Sequence, residues 1–107
     1  MIDYMIMYAY SSCMNPLDAR RDIISAIGQE TRIAILEFLR NGERCVCEIF
    51  PAIGHEQSNV SRHLNLMLAA GILSRRKEGL KIYYGVRYPE VLELLDLAGV
   101  IARNNGR

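Results

Sequence analysis

The sequence predicts a mainly α-helical domain with one β-hairpin in its C-terminal half. Three observations carry this. Apolar residues recur at helical spacing in four stretches before residue 70. The period then changes to two, with Ile82, Tyr84 and Val86 alternating with Lys81, Tyr83 and Gly85. Helical spacing returns after Pro89.

The elements follow in order. "PLDARRDIISAIG" predicts a helix with Pro16 near its start, Gly28 at its end and a stripe of Ile23, Ile24 and Ile27. "QETRIAILEFLRNG" predicts a second, with Ile33, Ile35, Leu36 and Leu39 inward and Gly42 as its stop. "CVCEIFPAIG" predicts a short third helix. Proline fits only a first turn, where no backbone N–H is needed, so Pro51 puts the helix start near Cys47. "QSNVSRHLNLMLAAG" predicts the fourth, with Val60, Leu64, Met67 and Leu68 as its buried face. "ILSRRKEGLKIYYGV" predicts a hairpin turning at Gly79. "PEVLELLDLAGVIARNNGR" predicts a last helix that is apolar on more than one face. Such a helix needs partners on two sides, which predicts a homodimer.

The totals fit one small domain. The chain has 107 residues, half of them hydrophobic, so a globular fold with a modest core is expected, and dimerisation would enlarge the buried surface. Residues 1–15 read as an N-terminal arm, and residues 16–107 as the domain, with dimerisation helices at both ends. The arm lacks a basic n-region and is too short to span a bilayer, so no membrane partner is expected. The three cysteines are an odd number, which disfavours a closed disulfide framework. Two thiols one residue apart point instead to metal or redox chemistry in a reducing cytoplasm.

The net charge of +1 conceals a division. Residues 58–88 hold Arg62, Arg75, Arg76, Lys77, Lys81 and Arg87 against Glu78 alone. A basic segment in an otherwise acidic chain is the footprint of a polyanion partner. Two short helices joined by a tight turn and followed by a basic hairpin describe a winged helix-turn-helix, with the second helix in the major groove of double-stranded DNA and the hairpin as the wing. The candidate DNA residues are Gln57, Ser58, Asn59, Ser61, Arg62, His63 and Asn65 on the helix, with Arg75, Arg76, Lys77, Lys81 and Tyr83 on the wing.

"ERCVCEIFPAIGHEQSNVSRHLNLMLAAGILSRRKEGLKIYYGV" resembles the ArsR/SmtB family of metal-responsive repressors, and "ETRIAIL" resembles that family's second helix. The resemblance covers residues 17–88 and implies a homodimeric repressor, not an enzyme, that needs no cofactor to bind its operator. In one metalloid-sensing branch the third helix opens with Glu-Leu-Cys-Val-Cys-Asp-Leu, which "ERCVCEI" matches at Glu43, Cys45, Val46, Cys47, Glu48 and Ile49. Arg44 replaces the leucine, and Phe50 stands where the arsenic-responsive version has a third cysteine.

On a regular helix, residues two apart point to nearly opposite sides, so Cys45 and Cys47 can converge only on extended or frayed backbone. A helix mouth supplies that and favours thiolates. Soft thiolates select soft ions. The resemblance implies arsenite or antimonite as inducer, with cadmium and lead as alternatives. Cys13 is the candidate third ligand, because some cadmium- and lead-responsive members resemble this layout, with arm cysteines reaching the third helix of the other subunit. Thiol oxidation at the same pair is the redox alternative. Residues 89–107 contain no His and no Cys, so the family's zinc site on the last helix is expected to be absent. A dithiol oxidoreductase is disfavoured, since no βαβ pattern accompanies the cysteines.

Overall fold

The computed structural model describes residues 16–54 and 56–107. The predicted arm, Cys13 and His55 lie outside the described residues. The order is α1 (Pro16–Ile27), α2 (Glu30–Phe38), β1 (Arg44–Cys45), α3 (Val46–Ile53), α4 (Gln57–Ala69), β2 (Leu73–Glu78), β3 (Lys81–Val86) and α5 (Pro89–Asn104). The mainly α winged helix-turn-helix is the observed architecture, with α3 and α4 as the helix pair and β2–β3 as the wing.

Local chemistry sets the boundaries. The Gln29 side chain accepts from the Arg32 N–H at 2.9 Å and so caps α2. Gly54 ends α3 with φ 75°, a left-handed conformation that costs glycine little. Gly79 turns the hairpin with φ 61°. The start of α3 is close to the expected one, but the place of Pro51 in it differs from the expectation. The helix begins at Val46, and Pro51 lies inside it rather than in its first turn. Because proline has no N–H, the carbonyl of Cys47 loses its normal bond from residue 51.

The core is built from Ile35 and Leu36 of α2 with Leu39 at its C-cap, Ile49 of α3, and Val60, Leu64 and Met67 of α4, closed by Ile72, Leu73, Tyr84 and Val91. The predicted stripe of α4 is thus the buried one, with Leu68 packed at its margin. Ile33, expected inward, is exposed. Its position is about 200° around the helix from Ile35, so the two cannot face the same core.

The wing belongs to a three-stranded antiparallel sheet in the order β1-β3-β2. Arg44 pairs with Tyr84 and Cys45 with Tyr83. On the other side Arg75 pairs with Tyr84 and Arg76 with Tyr83. The two-residue β1 is too short to show a period, and the sequence gives no sign of it. The thiol segment is therefore hydrogen-bonded into the wing as well as packed beside α4.

The apolar excess of α5 is left uncovered. Ile24, Leu97 and Ile101 are 63%, 59% and 61% exposed, and Ile23, Ile33, Leu94 and Val100 are exposed beside them. Ile24, Ile27, Ile33, Leu94, Leu97 and Ile101 share one groove between α1, the start of α2 and α5. Among the described residues, no helix is long and apolar enough to cross a membrane.

Candidate nucleic-acid interface and thiol pair

Helix α4 buries one side and presents the other. Gln57, Ser58, Arg62 and Asn65 are exposed, while Asn59, Ser61 and His63 are half-buried. The Arg62 guanidinium donates to Asn59 Oδ1 at 2.6 Å, which preorients the longest side chain of the presented face. Glu56, Ser58, Asn59 and Arg62 line a hollow at the start of the helix. His63, one of the sequence candidates for DNA, lies with Nδ1 3.2 Å from an Arg32 nitrogen. That contact turns one edge of its ring toward α2.

The wing sorts its cations onto two faces. Leu73, Arg75 and Lys77 pair with Val86, Tyr84 and Ile82, the face continuous with the core. Ser74, Arg76 and Glu78 pair with Gly85, Tyr83 and Lys81 on the opposite face. Among the described residues, Arg75 and Lys77 form no ion pair. Arg76, a sequence candidate for DNA, is exposed and ion-paired. It bridges Glu43 at 3.0 Å and Glu78 at 2.5 Å, and stacks 4.6 Å above the Tyr83 ring. The hydrogen bond from Arg76 holds the Glu78 carboxyl below the usual range, and the two acids together push the guanidinium further toward its charged form. Tyr83, also a sequence candidate for DNA, lies beneath this network. Glu43 was missed as a functional candidate, although its charge and its place before the cysteine pair were legible.

The thiols occupy the mouth of α3. Cys45 has extended backbone, φ −63° and ψ 143°, and is the N-cap. Its sulfur accepts from the Cys47 N–H at 3.3 Å, and Glu48 Oε1 accepts from the Cys45 N–H at 3.2 Å. This reciprocal capping replaces two hydrogen bonds the first turn would otherwise lack. The extended cap turns the side chains toward each other. The two sulfurs meet as a cystine pair, with α-carbons 5.1 Å apart. Cys45 is buried at 4% exposure and Cys47 is exposed. Arg44 reaches Glu48 at 3.4 Å and lies over the Phe38 ring. Among the described residues, no group of three His, Cys, Asp or Glu side chains could hold a metal ion. Only when reduced would the Cys45, Cys47 pair offer two soft donors.

The family described as "Bacterial regulatory protein, arsR family" matches residues 29–75, which run from the cap of α2 into the wing. An uncharacterized helix-turn-helix transcriptional regulator of Methanocaldococcus jannaschii is 37% identical, over 78% of this chain and 98% of its own. A probable mercury resistance operon repressor of Streptomyces lividans is 34% identical, over 87% of this chain and 74% of its own. An arsenic resistance transcriptional regulator of Pseudomonas putida is 38% identical, over 77% and 66%. Among solved structures, the homodimeric winged helix-turn-helix DNA-binding domain of a possible ArsR-family regulator from Mycobacterium bovis superposes with a TM-score of 0.75. It is 27% identical, over 89% of this chain and 93% of that one.

Proposed function

The chain belongs to the ArsR family of bacterial regulatory proteins, and on that premise we propose that it is a homodimeric repressor that releases its operator when a soft metal or metalloid binds Cys45 and Cys47. It is a DNA-binding transcriptional regulator and not an enzyme. Arsenite or antimonite is the favoured inducer. The observation that carries this is the convergence of two sulfurs at the capped mouth of α3, the helix that packs on α4.

The chemistry follows from that geometry. When reduced, the pair offers two thiolates to a thiol-seeking ion. The mercury and arsenic named for two relatives are ions of that kind. Gripping both sulfurs fixes the backbone between Cys45 and Cys47, where Pro51 has already removed one helical bond. The effect reaches α4 by packing, and a coupling of about 1–3 kcal/mol accounts for release. Cys13 is the proposed third sulfur. Arg62, with Ser58, Asn59 and Asn65, meets base edges, while Arg75, Lys77 and Lys81 meet phosphates. The exposed groove of α1 and α5 supports the dimer.

A second reading is thiol oxidation, which the cystine pairing of Cys45 and Cys47 favours. The test titrates operator binding by the reduced protein with arsenite, antimonite, cadmium and lead, and separately with peroxide. Release by a soft ion at intact thiols supports the first reading. Release by peroxide alone supports the second.

A further inference from the structure

Arg76 crosses the whole sheet. It starts on β2, passes over the Tyr83 ring of β3, and ends on Glu43 just before β1, with Nε 3.1 Å from Oε1. Tyr83 is the register partner of both Arg76 and Cys45. One side chain therefore joins the outer wing strand, the middle strand and the segment that leads into the thiol pair.

The charges around Arg76 oppose a DNA role. Two carboxylates enclose one guanidinium, so a phosphate approaching it must displace Glu43 and Glu78, whereas Lys81, opposite Glu78 on the same face, makes no ion pair among the described residues. To bind DNA, Arg76 would have to break two ion pairs and leave Glu43 and Glu78 facing the backbone. Arg75 and Lys77, on the other face, carry no such cost.

We propose that Arg76 is a positioning residue rather than a phosphate contact: it straps the wing to the thiol-bearing strand, and with Glu43 it transmits ligand binding at Cys45 and Cys47 to the wing. The second half of this rests on the ligand-responsive function above; the first half does not. Cys45 is both the end of β1 and the cap of α3, so fixing its backbone moves the strand that Glu43 leads. Arg76 then carries that movement to β2, which also contacts α4.

The test uses the full chain with Arg75→Gln, Arg76→Gln and Glu43→Gln. The salt dependence of operator binding should flatten by about one unit for Arg75→Gln and stay unchanged for Arg76→Gln. Amide exchange at Cys45 and Tyr83 should quicken severalfold in Arg76→Gln and Glu43→Gln, whose helices retain normal circular dichroism. With sodium arsenite as probe, Glu43→Gln should protect as many thiols as the parent but lose less operator affinity. A flattened slope for Arg76→Gln, or unchanged exchange in both variants, overturns the strap. Full arsenite release by Glu43→Gln overturns its role in transmission. If the parent ignores arsenite, the ligand-responsive function itself has failed, and slope and exchange alone then decide the strap.

Discussion

The Arg32 guanidinium lies 3.2 Å from Nδ1 of His63, thirty-one residues away on α4. The same group donates to the carbonyl oxygens of Ala26 at 2.6 Å and Ser25 at 3.1 Å, in the last turn of α1. One side chain thus ties the helix of the apolar groove to the helix proposed for DNA. A donor on Arg32 requires Nδ1 to accept, which places the imidazole proton on Nε2.

Arg32→Met should therefore do two things. It keeps the apolar stem but strands two carbonyls of α1, so we expect a loss of about 1–3 kcal/mol in urea unfolding. Operator affinity should fall beyond what unfolding explains, because His63 loses its contact with Arg32. Arg32→Lys should recover little, since an ammonium cannot fork to three acceptors. Unchanged stability would mean that water replaces these bonds without cost.

On α4 the contact between Arg62 and Asn59 fixes the direction of the arginine. Arg62→Ala should cost about 1–3 kcal/mol of operator binding, measured by fluorescence anisotropy. Asn59→Ala should cost less and broaden base preference at one position. Equal affinity of Arg62→Ala and the parent would remove this residue from the interface.

The groove of Ile24, Leu97 and Ile101 should be the dimer surface. A contiguous apolar face of this kind is a poor solvent boundary for a small protein. Leu97→Glu with Ile101→Glu should sediment as a folded monomer and lose cooperative binding to a two-fold operator. The parent dimer should place its α4 helices roughly 34 Å apart, one DNA turn. A parent that sediments as a monomer at micromolar concentration would rule this out.

At the thiols, serine is a conservative probe, because it caps a helix at least as well as cysteine. Cys45→Ser and Cys47→Ser should bind the operator normally and resist release by arsenite or antimonite. Cys13→Ser should weaken release if the arm supplies a third sulfur. A double Cys45, Cys47 variant that still lets go on metalloid addition would move the sensor elsewhere.

Arg40 joins Glu37 at 2.9 Å to Asp96 of α5 at 2.7 Å. The hydrogen bond from Arg40 holds the Glu37 carboxyl below the usual carboxylate range. The unfolded chain thus binds more protons between the two values, so stability rises with pH there. The contribution is present above the usual carboxylate range and fades as pH falls through the lower folded value. Arg40→Met should flatten this acid limb in thermal melts across pH 3–6. An identical limb in the variant would show that the ion pair is fully screened.

The sequence by itself determined the elements that repeat along the chain. Val60, Leu64 and Met67 share one helical face, and Ile82 and Tyr84 share one strand face, so burial follows from period. It also determined the apolar surplus of α5 and the need for extended backbone at the cysteine pair, since both are matters of local count and spacing. Tertiary structure decided what meets across the chain. It made Arg44 and Cys45 a strand by laying them beside Tyr83 and Tyr84. It left Pro51 inside α3. It set Arg76 beside Glu43, and Arg32 beside His63. A hydrophobic period is written in neighbouring residues, whereas an ion pair between residues 43 and 76 depends on the packing that brings two distant strands together.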